Sequence, residues 1–177
     1  KYILKNKTGD LVSPSQLDDN WRSKTIIANL DKIKLLYVGR IKIEKGIFSL
    51  LDIIKNNNKI TLTIVGAEKN PQQKINQNNV NVYEIENNKQ KLIKFYDDHN
   101  IFILPSFTEG HPMSLLEALA RKRPVIIFEE IKHVVGNKKG IFVSKRNSNS
   151  LIETINHIKK NYKEIIKEMQ QNKLPTN

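Results

Sequence analysis

Short apolar runs alternate with segments of helical periodicity along most of this 177-residue chain. The runs are rich in Ile and Val and predict strands, whereas apolar residues at every third or fourth position predict helices. The predicted strands are 33–38, 60–65, 80–85, 101–104, 125–128 and 141–143. The predicted helices are 45–57, 89–98, 112–121 and a C-terminal helix, 151–172, whose apolar side is formed between Leu151 and Met169.

The order of these elements indicates the fold class. Strands that are apolar throughout are typical of a parallel sheet that is covered on both faces. We therefore predict an α/β fold, a Rossmann-like open parallel sheet with helices on both faces. Residues 1–31, with Gly9 and Pro14, read as an irregular linker segment, and residues 32–177 as the domain. The last part of the C-terminal helix, from Tyr162, is expected to leave its apolar side partly exposed.

Composition narrows the function classes. The absence of cysteine excludes disulfides, thiolate nucleophiles and Cys-ligated metal sites. No apolar run approaches the ~20 residues that cross a bilayer. The N-terminal residues also lack a signal-peptide core. We therefore expect a cytoplasmic protein.

The net charge of +12 raises the alternative of a basic module for nucleic acid or anionic membrane. Residues 46–130, however, carry ten basic and ten acidic groups, and the whole chain has only five Arg. A nucleic-acid surface usually adds Arg and interleaved aromatic residues, so we expect no nucleic-acid partner. The basic C-terminal segment, 131–177, leaves peripheral contact with acidic lipid at the inner membrane face open.

Two turns lie where strands end and helices begin, which is where open α/β sheets bind ligands. The first follows the strand 33–38 and contains Gly39, Arg40 and Lys45. Gly39 allows close approach to the backbone, and the two cations could hold a diphosphate. The alternative is an ordinary lysine-rich surface loop.

The second turn follows the strand 101–104 and leads into a helix at Pro112. Free N–H groups in that helix's first turn would face the same crevice. Glu109 and Glu117 flank this helix start, where carboxylates could accept hydrogen bonds from hydroxyl groups. A sugar nucleotide, with its sugar hydroxyls, diphosphate and ribose, has a matching layout.

The motifs in these turns resemble those of the C-terminal, donor-binding domain of retaining glycosyltransferases with the GT-B fold, family 4 type. The matching segments have the expected order and spacing over roughly 120 residues. They are VGRIKIEKG at 38–46, LTIVG at 62–66, NIFILPSFTEGHPMSLLEALARKRPVI at 100–126 and GIFV at 140–143. Glu109 and Glu117 form the family's E-x7-E signature. The chain would then be one half of a GT-B fold.

The resemblance implies roles for particular residues. Arg40 and Lys45 would bind the donor diphosphate and stabilise the leaving nucleotide, and Glu109 would lie beside the donor sugar at the reacting centre. Glu117 would bind the ribose hydroxyls. Further contacts to the donor are implied for Gly39, Gly110, His111, Pro112, Met113, Ser114 and Leu115, and the nucleobase would pack near Tyr83 and Ile85.

The resemblance also implies the reaction and its partners. A sugar would pass, with retention, from a nucleoside-diphosphate sugar to a glycan or lipid-linked acceptor, with no metal and no cofactor. The N-terminal half of a GT-B enzyme would be a further partner, and without it we expect weak activity or none. Two different functions stay open. One is half of a sugar-nucleotide epimerase or hydrolase, which the E-x7-E signature disfavours, and the second is the basic module.

The chain departs from the family pattern at several positions. Asn100 stands where Asp is frequent, and Arg123 precedes Pro124 where Gly is frequent. Residues 128–133 replace a loop that contains two glycines. His111 stands where an aromatic residue is frequent, so it either shapes the acceptor side of the sugar or has no role. His99, His133 and His157 lack metal-ligand spacing and are expected to be surface or packing residues.

Overall fold

A computed structural model describes residues 17–22, 25–68 and 75–175. The strands are β1 (Ile33–Val38), β2 (Ile60–Ala67), β3 (Val80–Glu84), β4 (Ile101–Leu104), β5 (Val125–Phe128) and β6 (Ile141–Ser144). The helices are α1 (Ile47–Ile54), α2 (Lys89–Asp98), α3 (Met113–Ala120) and α4 (Ser148–Met169). Short 3-10 helices occupy Asp19–Arg22, Ile43–Lys45 and Glu129–Val134.

The six strands form one parallel sheet in the order β3-β2-β1-β4-β5-β6. Strands β4 and β5 are buried along their whole length, which explains why their sequences are continuous apolar runs rather than alternations. The predicted α/β class and parallel sheet are confirmed. The strand order reverses direction between β1 and β4, so the crevice beyond their carboxyl ends is the topological switch point.

The first predicted helix begins later and ends earlier than its periodicity indicates. Gly46 has a φ of 66°, and its left-handed conformation separates the 3-10 turn Ile43–Lys45 from α1. Lys45 therefore lies in the turn and not in the helix. The apolar pattern of 45–57 does not register this break, because it reports burial and not backbone conformation.

The expectation that the C-terminal helix leaves its apolar side exposed is wrong. Tyr162, Ile165 and Met169 are buried in the core of this domain. Helix α4 bends at Asn161, whose side-chain amide donates to the carbonyl of His157. A side chain that competes for a helical carbonyl is a recognised cause of such a bend. After the bend, the last two turns of α4 pack their apolar side against the core.

Buried polar side chains close the amino edge of the sheet. Arg121 makes a bidentate contact with Asp97, and Arg123 donates to the backbone carbonyls of Tyr96 and Asp97. The Asn100 amide donates to the carbonyls of Asn29 and Lys32. Arg123 and Asn100, two of the departures from the family pattern, thus have structural partners here.

The segment predicted as a linker lies largely outside the described residues. Its described parts pack on the domain, where Leu17 and Trp21 are buried with the core. The Trp21 ring meets the Tyr96 ring edge-on at a centroid distance of 5.4 Å.

Burial of His99 predicts a pH-dependent stability. Its Nδ1 contacts the Phe95 carbonyl at 2.6 Å and its Nε2 contacts the Thr63 hydroxyl at 2.7 Å, an arrangement that suits the neutral ring. Burial lowers the pKa of His99. Below a pH of about 6.5 the unfolded chain takes up a proton that the folded chain resists. We therefore expect the free energy of unfolding to decrease as the pH is lowered below this value.

Denaturation of a His99→Gln variant across the same pH range tests this expectation. The variant should show a flatter pH dependence than the parent chain. His157→Gln is the matched control, because His157 is exposed and should leave the slope unchanged. Equal slopes for the parent chain and His99→Gln would contradict the assignment.

Candidate functional site

The two turns predicted to bind a ligand touch each other at the switch point. The Phe107 amide donates to the Glu44 carbonyl at 2.9 Å. A Cβ atom on Gly46 would lie 1.9 Å from the Pro105 carbonyl oxygen, so only glycine permits this approach. Beside it, a Cβ on Gly66 would lie 2.3 Å from the carbonyl oxygen of Gly39. Close backbone packing therefore fixes the floor of the crevice.

An ion pair joins the two turns above this floor. Lys45 Nζ lies 2.7 Å from Glu109 Oε1, with side chains only 23% and 10% exposed. The Ser106 hydroxyl donates to the same carboxylate oxygen at 2.7 Å. Limited exposure strengthens such a pair relative to a surface salt bridge. The sequence-predicted cation and carboxylate thus meet directly, and Ser106 orients the carboxylate.

Arg40 lies at the rim of the crevice. Its guanidinium makes no hydrogen bond or ion pair within the described part of the chain. Its carbonyl accepts a 2.9 Å hydrogen bond from the buried Tyr37 hydroxyl, which holds the turn. Burial raises the pKa of Tyr37, with the negative charge of Glu109 adding to the effect, so Tyr37 stays a neutral donor. Arg40 is therefore an exposed cation on a turn whose backbone is held, and its guanidinium is available to an anion.

The start of α3 offers backbone donors. Pro112 is the N-cap residue, and its carbonyl accepts from the Leu115 amide at 3.2 Å. The amides of Met113 and Ser114 have no backbone acceptor among the described residues. Their N–H groups, together with the helix dipole, favour an anion here. Leu115, also predicted to contact the donor, has its side chain in the core and its amide occupied.

Gly110 and His111, the pair that precedes the N-cap Pro112, leave open space beside the start of α3. His111 is exposed. At Gly110 an added Cβ would meet no atom within 4 Å. The space beside Gly110 is therefore accessible to a ligand that approaches the backbone closely.

Glu117 lies on α3, inside the crevice wall. Its Oε2 accepts from the Tyr96 hydroxyl at 2.7 Å, and the Tyr96 ring stacks on Phe102. Burial raises the pKa of the Glu117 carboxyl, an effect that the hydrogen bond from Tyr96 partly offsets. The hydrogen bond from Tyr96 thus holds the Glu117 carboxylate in one orientation, and burial desolvates its charge.

Tyr83 and Ile85 lie at the same carboxyl edge, on the far side of β2. Residues Val38, Val65 and Tyr83 are in register across three strands. Two strand spacings place Tyr83 about 10 Å from the end of β1. Tyr83 and Ile85 are about half exposed, at 47% and 52%, and form an apolar shelf beside the crevice.

Three residues at this site were not predicted from the sequence. Ser106 and Arg146 contact the Glu109 loop, and His133 Nε2 donates to the Glu109 carbonyl at 2.7 Å. His133 was expected to be a surface or packing residue, and it is exposed as well as bonded to this loop. Ser106 is a polar residue two positions after an apolar strand, which is a signal that the sequence offers. Arg146 and His133 reach this loop only through tertiary contacts.

Neither a metal cluster nor a membrane span occurs among the described residues. No three His, Asp or Glu side chains there lie close enough together to hold a metal ion. No helix in that part of the chain is long and apolar enough to cross a bilayer.

Comparison with known proteins identifies the family. The model for glycosyl transferases group 1 matches residues 19–173. The chain belongs to the glycosyl transferases group 1 family. The family model includes both turns of the site and begins within the segment that the sequence predicts as a linker.

Two curated relatives of this family member are named as glycosyltransferases of teichuronic acid and capsular polysaccharide biosynthesis. It is 27% identical over 129 residues to the putative teichuronic acid biosynthesis glycosyltransferase TuaC of Bacillus subtilis (strain 168), covering 71% of this chain and 33% of that protein. It is 28% identical over 155 residues to the capsular polysaccharide biosynthesis glycosyltransferase CapM of Staphylococcus aureus, covering 79% and 40%. The chain thus spans two fifths or less of the length of these two relatives.

Solved structures show the same fold. The Anabaena protein Alr3699/HepE, determined in complex with UDP and glucose, matches with a TM-score of 0.66 at 15% identity. The match covers 87% of this chain and 48% of that one. The group 1 domain therefore has the fold of about half of a GT-B glycosyltransferase.

The buried Glu117 carboxylate predicts a stability cost at neutral pH. Because folding raises the pKa of Glu117, the protonated form favours the folded state, and stability falls as pH rises through the folded-state pKa. Glu117→Gln can keep an acceptor for the Tyr96 hydroxyl without the charge. We expect it to unfold at a higher temperature than the parent chain near a pH of about 8 and to lose this advantage near about 4.

Thermal unfolding at several pH values measures this difference. Glu153→Gln is the matched control, because Glu153 is exposed on α4. A Glu117→Gln variant that is less stable than the parent chain at the higher pH would show that the carboxylate has stabilising partners outside the contacts described above.

Proposed function

We propose that the chain is the C-terminal, donor-binding half of a retaining glycosyltransferase of family 4 type. It binds a nucleoside-diphosphate sugar, and the complete enzyme transfers the sugar to a glycan or lipid-linked hydroxyl. The single observation that carries the proposal is the ion pair of Lys45 with Glu109 at the place where the turn after β1 contacts the loop that leads into α3. The family membership makes sugar-nucleotide chemistry the natural use of this arrangement.

The diphosphate would bind between the two turns. Arg40 offers a planar fork of donors, Lys45 a compact charge, and the Met113 and Ser114 amides oriented dipoles. An incoming diphosphate competes with Glu109 for Lys45, so Lys45 would exchange one anion for another without losing its hydrogen bonds. The side chains and the helix dipole supply the positive charge, and we propose that donor binding needs no metal ion.

The same groups would stabilise the transition state. Breaking the bond between the sugar carbon and the phosphate oxygen leaves negative charge on the diphosphate and positive charge on the sugar ring. Cations fixed at the diphosphate therefore bind the transition state more strongly than the ground state. Removal of one such contact costs about 2–4 kcal/mol in comparable oxyanion sites. Glu109, next to this position, would face the positive sugar ring.

The remaining predicted residues would recognise the nucleoside. Glu117 would accept hydrogen bonds from ribose hydroxyls, and its existing bond from Tyr96 holds it ready for them. Tyr83 and Ile85 would support the base on their exposed shelf. Gly39 and the segment 110–114 would approach the donor through the backbone, with His111 beside the sugar.

The rest of the enzyme would supply the acceptor site. Relatives more than twice as long as this chain are consistent with a second domain across the crevice. We propose that the chain alone binds donor and is weakly active or inactive. The names of TuaC and CapM support an envelope polysaccharide as the acceptor class, with synthesis in the cytoplasm or at the inner membrane face.

A binding screen tests the proposal directly. Calorimetry and thermal shift with UDP, GDP, ADP and CDP, with EDTA present, should identify one nucleoside diphosphate that binds selectively. A short DNA duplex at two salt concentrations serves as the polyanion control. Salt-sensitive DNA binding without any nucleotide response would contradict the donor-site assignment and favour a basic binding module.

The two cations should account for most of the diphosphate affinity. Hydrogen bonds to charged groups contribute about 1.5–3 kcal/mol each, so Arg40→Ala and Lys45→Ala should each weaken binding about 10- to 100-fold. Lys42→Ala is the matched control, because Lys42 is an exposed lysine of the same turn. Undiminished binding by the Arg40→Ala, Lys45→Ala double variant would refute this diphosphate site.

Gly110 offers a steric test that leaves the fold intact. An added Cβ meets only open space, so Gly110→Ala should unfold at the parent temperature. If the donor approaches the backbone here, the methyl group should weaken nucleoside-diphosphate-sugar binding measurably by calorimetry. Unchanged affinity for the sugar nucleotide would mean that the donor does not contact residue 110.

A further inference from the structure

The loop that carries Glu109 has little regular structure of its own. Residues 105–112 connect β4 to α3 and form no helix or strand. The carbonyls of Pro105 and Ser106, at the start of this loop, point to a partner outside it. That partner is Arg146, which follows β6 two strands away.

Arg146 makes three hydrogen bonds and two aromatic contacts with its surroundings. Its Nη1 donates to the Pro105 carbonyl at 2.9 Å, its Nη2 to the Ser106 carbonyl at 3.3 Å and its Nε to Glu130 Oε1 at 2.7 Å. The guanidinium carbon lies 4.1 Å from the ring centroid of Phe107 and 4.3 Å from that of Phe128. We call Arg146 with Phe107, Phe128 and Glu130 the Arg146 brace.

The Arg146 brace also touches the other turn of the site. A Cβ on Gly46 would lie 3.1 Å from Arg146 Nη1, next to the Pro105 oxygen that Arg146 binds. The guanidinium therefore lies where the turn that carries Lys45 meets the loop that carries Glu109. A group at this junction sets the separation of the two charged side chains.

Two members of the Arg146 brace belong to residues 128–133, where this chain departs from the family pattern. Phe128 and Glu130 belong to residues 128–133, and His133 from the same segment holds the Glu109 carbonyl. The ion pair with Arg146 lowers the pKa of Glu130, so the carboxylate stays charged.

We propose that Arg146 is a positioning residue that holds the Glu109 loop against the Lys45 turn in the geometry that donor binding requires. This inference rests on the proposed function. Three of its five N–H groups are occupied, and two aromatic rings lie within 4.3 Å of its guanidinium carbon, so Arg146 acts through the loop and not by contact with the donor. Lysine cannot replace it, because an ammonium group lacks the planar fork that bridges two carbonyls and a carboxylate.

The test compares Arg146→Lys with Arg121→Lys in the 177-residue chain. Arg121 is the matched control, since it is a buried arginine with a bidentate carboxylate partner at the opposite end of α3. Hydrogen exchange should become faster in residues 105–110 of Arg146→Lys only. Calorimetry with UDP, GDP, ADP and CDP should show affinity reduced about tenfold or more in Arg146→Lys, as displaced binding groups predict. Arg121→Lys should lower the unfolding temperature without changing affinity.

Chemical rescue adds a readout that a general loss of stability would not produce. Guanidinium chloride at low millimolar concentration should restore nucleotide affinity to Arg146→Ala, whereas equal sodium chloride should not. Parent-like affinity in Arg146→Lys, or unchanged exchange in residues 105–110, would overturn the positioning role while leaving the donor site intact. Failure of the parent chain to bind any nucleotide would instead overturn the proposed function, and the exchange comparison would still decide whether Arg146 holds the loop.

Discussion

The close approach of two backbone turns at the switch point is the constraint on which the rest of the site depends. The carbonyl of Pro105 occupies the space that a side chain at residue 46 would need, and the carbonyl of Gly39 likewise occupies the space for a side chain at residue 66. Strands β1 and β4 are adjacent and parallel, so their carboxyl ends deliver these turns to one place. Because the turns touch, the charged groups they carry are held within hydrogen-bond distance of each other.

Opposite charges are therefore paired before any anion arrives. Lys45 shares a carboxylate oxygen of Glu109 with Ser106, while Arg40 keeps its guanidinium free of described partners. A site with paired charges avoids the cost of leaving a half-buried cation or carboxylate uncompensated. In the proposed function, an incoming diphosphate would replace Glu109 as the partner of Lys45.

Residues at the amino edge of the sheet stabilise the fold, whereas those at the carboxyl edge form the candidate site. At the amino edge, Arg121, Arg123 and Asn100 satisfy buried carbonyls and carboxylates and close the core. At the carboxyl edge, the start of α3 leaves amides without a backbone acceptor among the described residues, and farther along the same helix Glu117 is kept in a poorly solvated place. Groups that oppose folding are thus concentrated where a ligand could use them, as is common in functional sites.

The sequence alone determined the parallel sheet and its burial on both faces, because continuous apolar runs predict strands that are covered on both sides. It also located the two candidate turns, because the carboxyl ends of parallel strands lie at the same edge of the sheet. The order and spacing of the motifs also indicated a glycosyltransferase, and the family model places the chain among the glycosyl transferases group 1. Only the tertiary structure decided that Lys45 pairs with Glu109, that Tyr96 holds Glu117 and that the last turns of α4 are buried. It alone brought Arg146 and His133 to the Glu109 loop. Those contacts join residues up to 64 positions apart, and no local pattern encodes them, because they arise from how neighbouring strands deliver distant segments to the same edge.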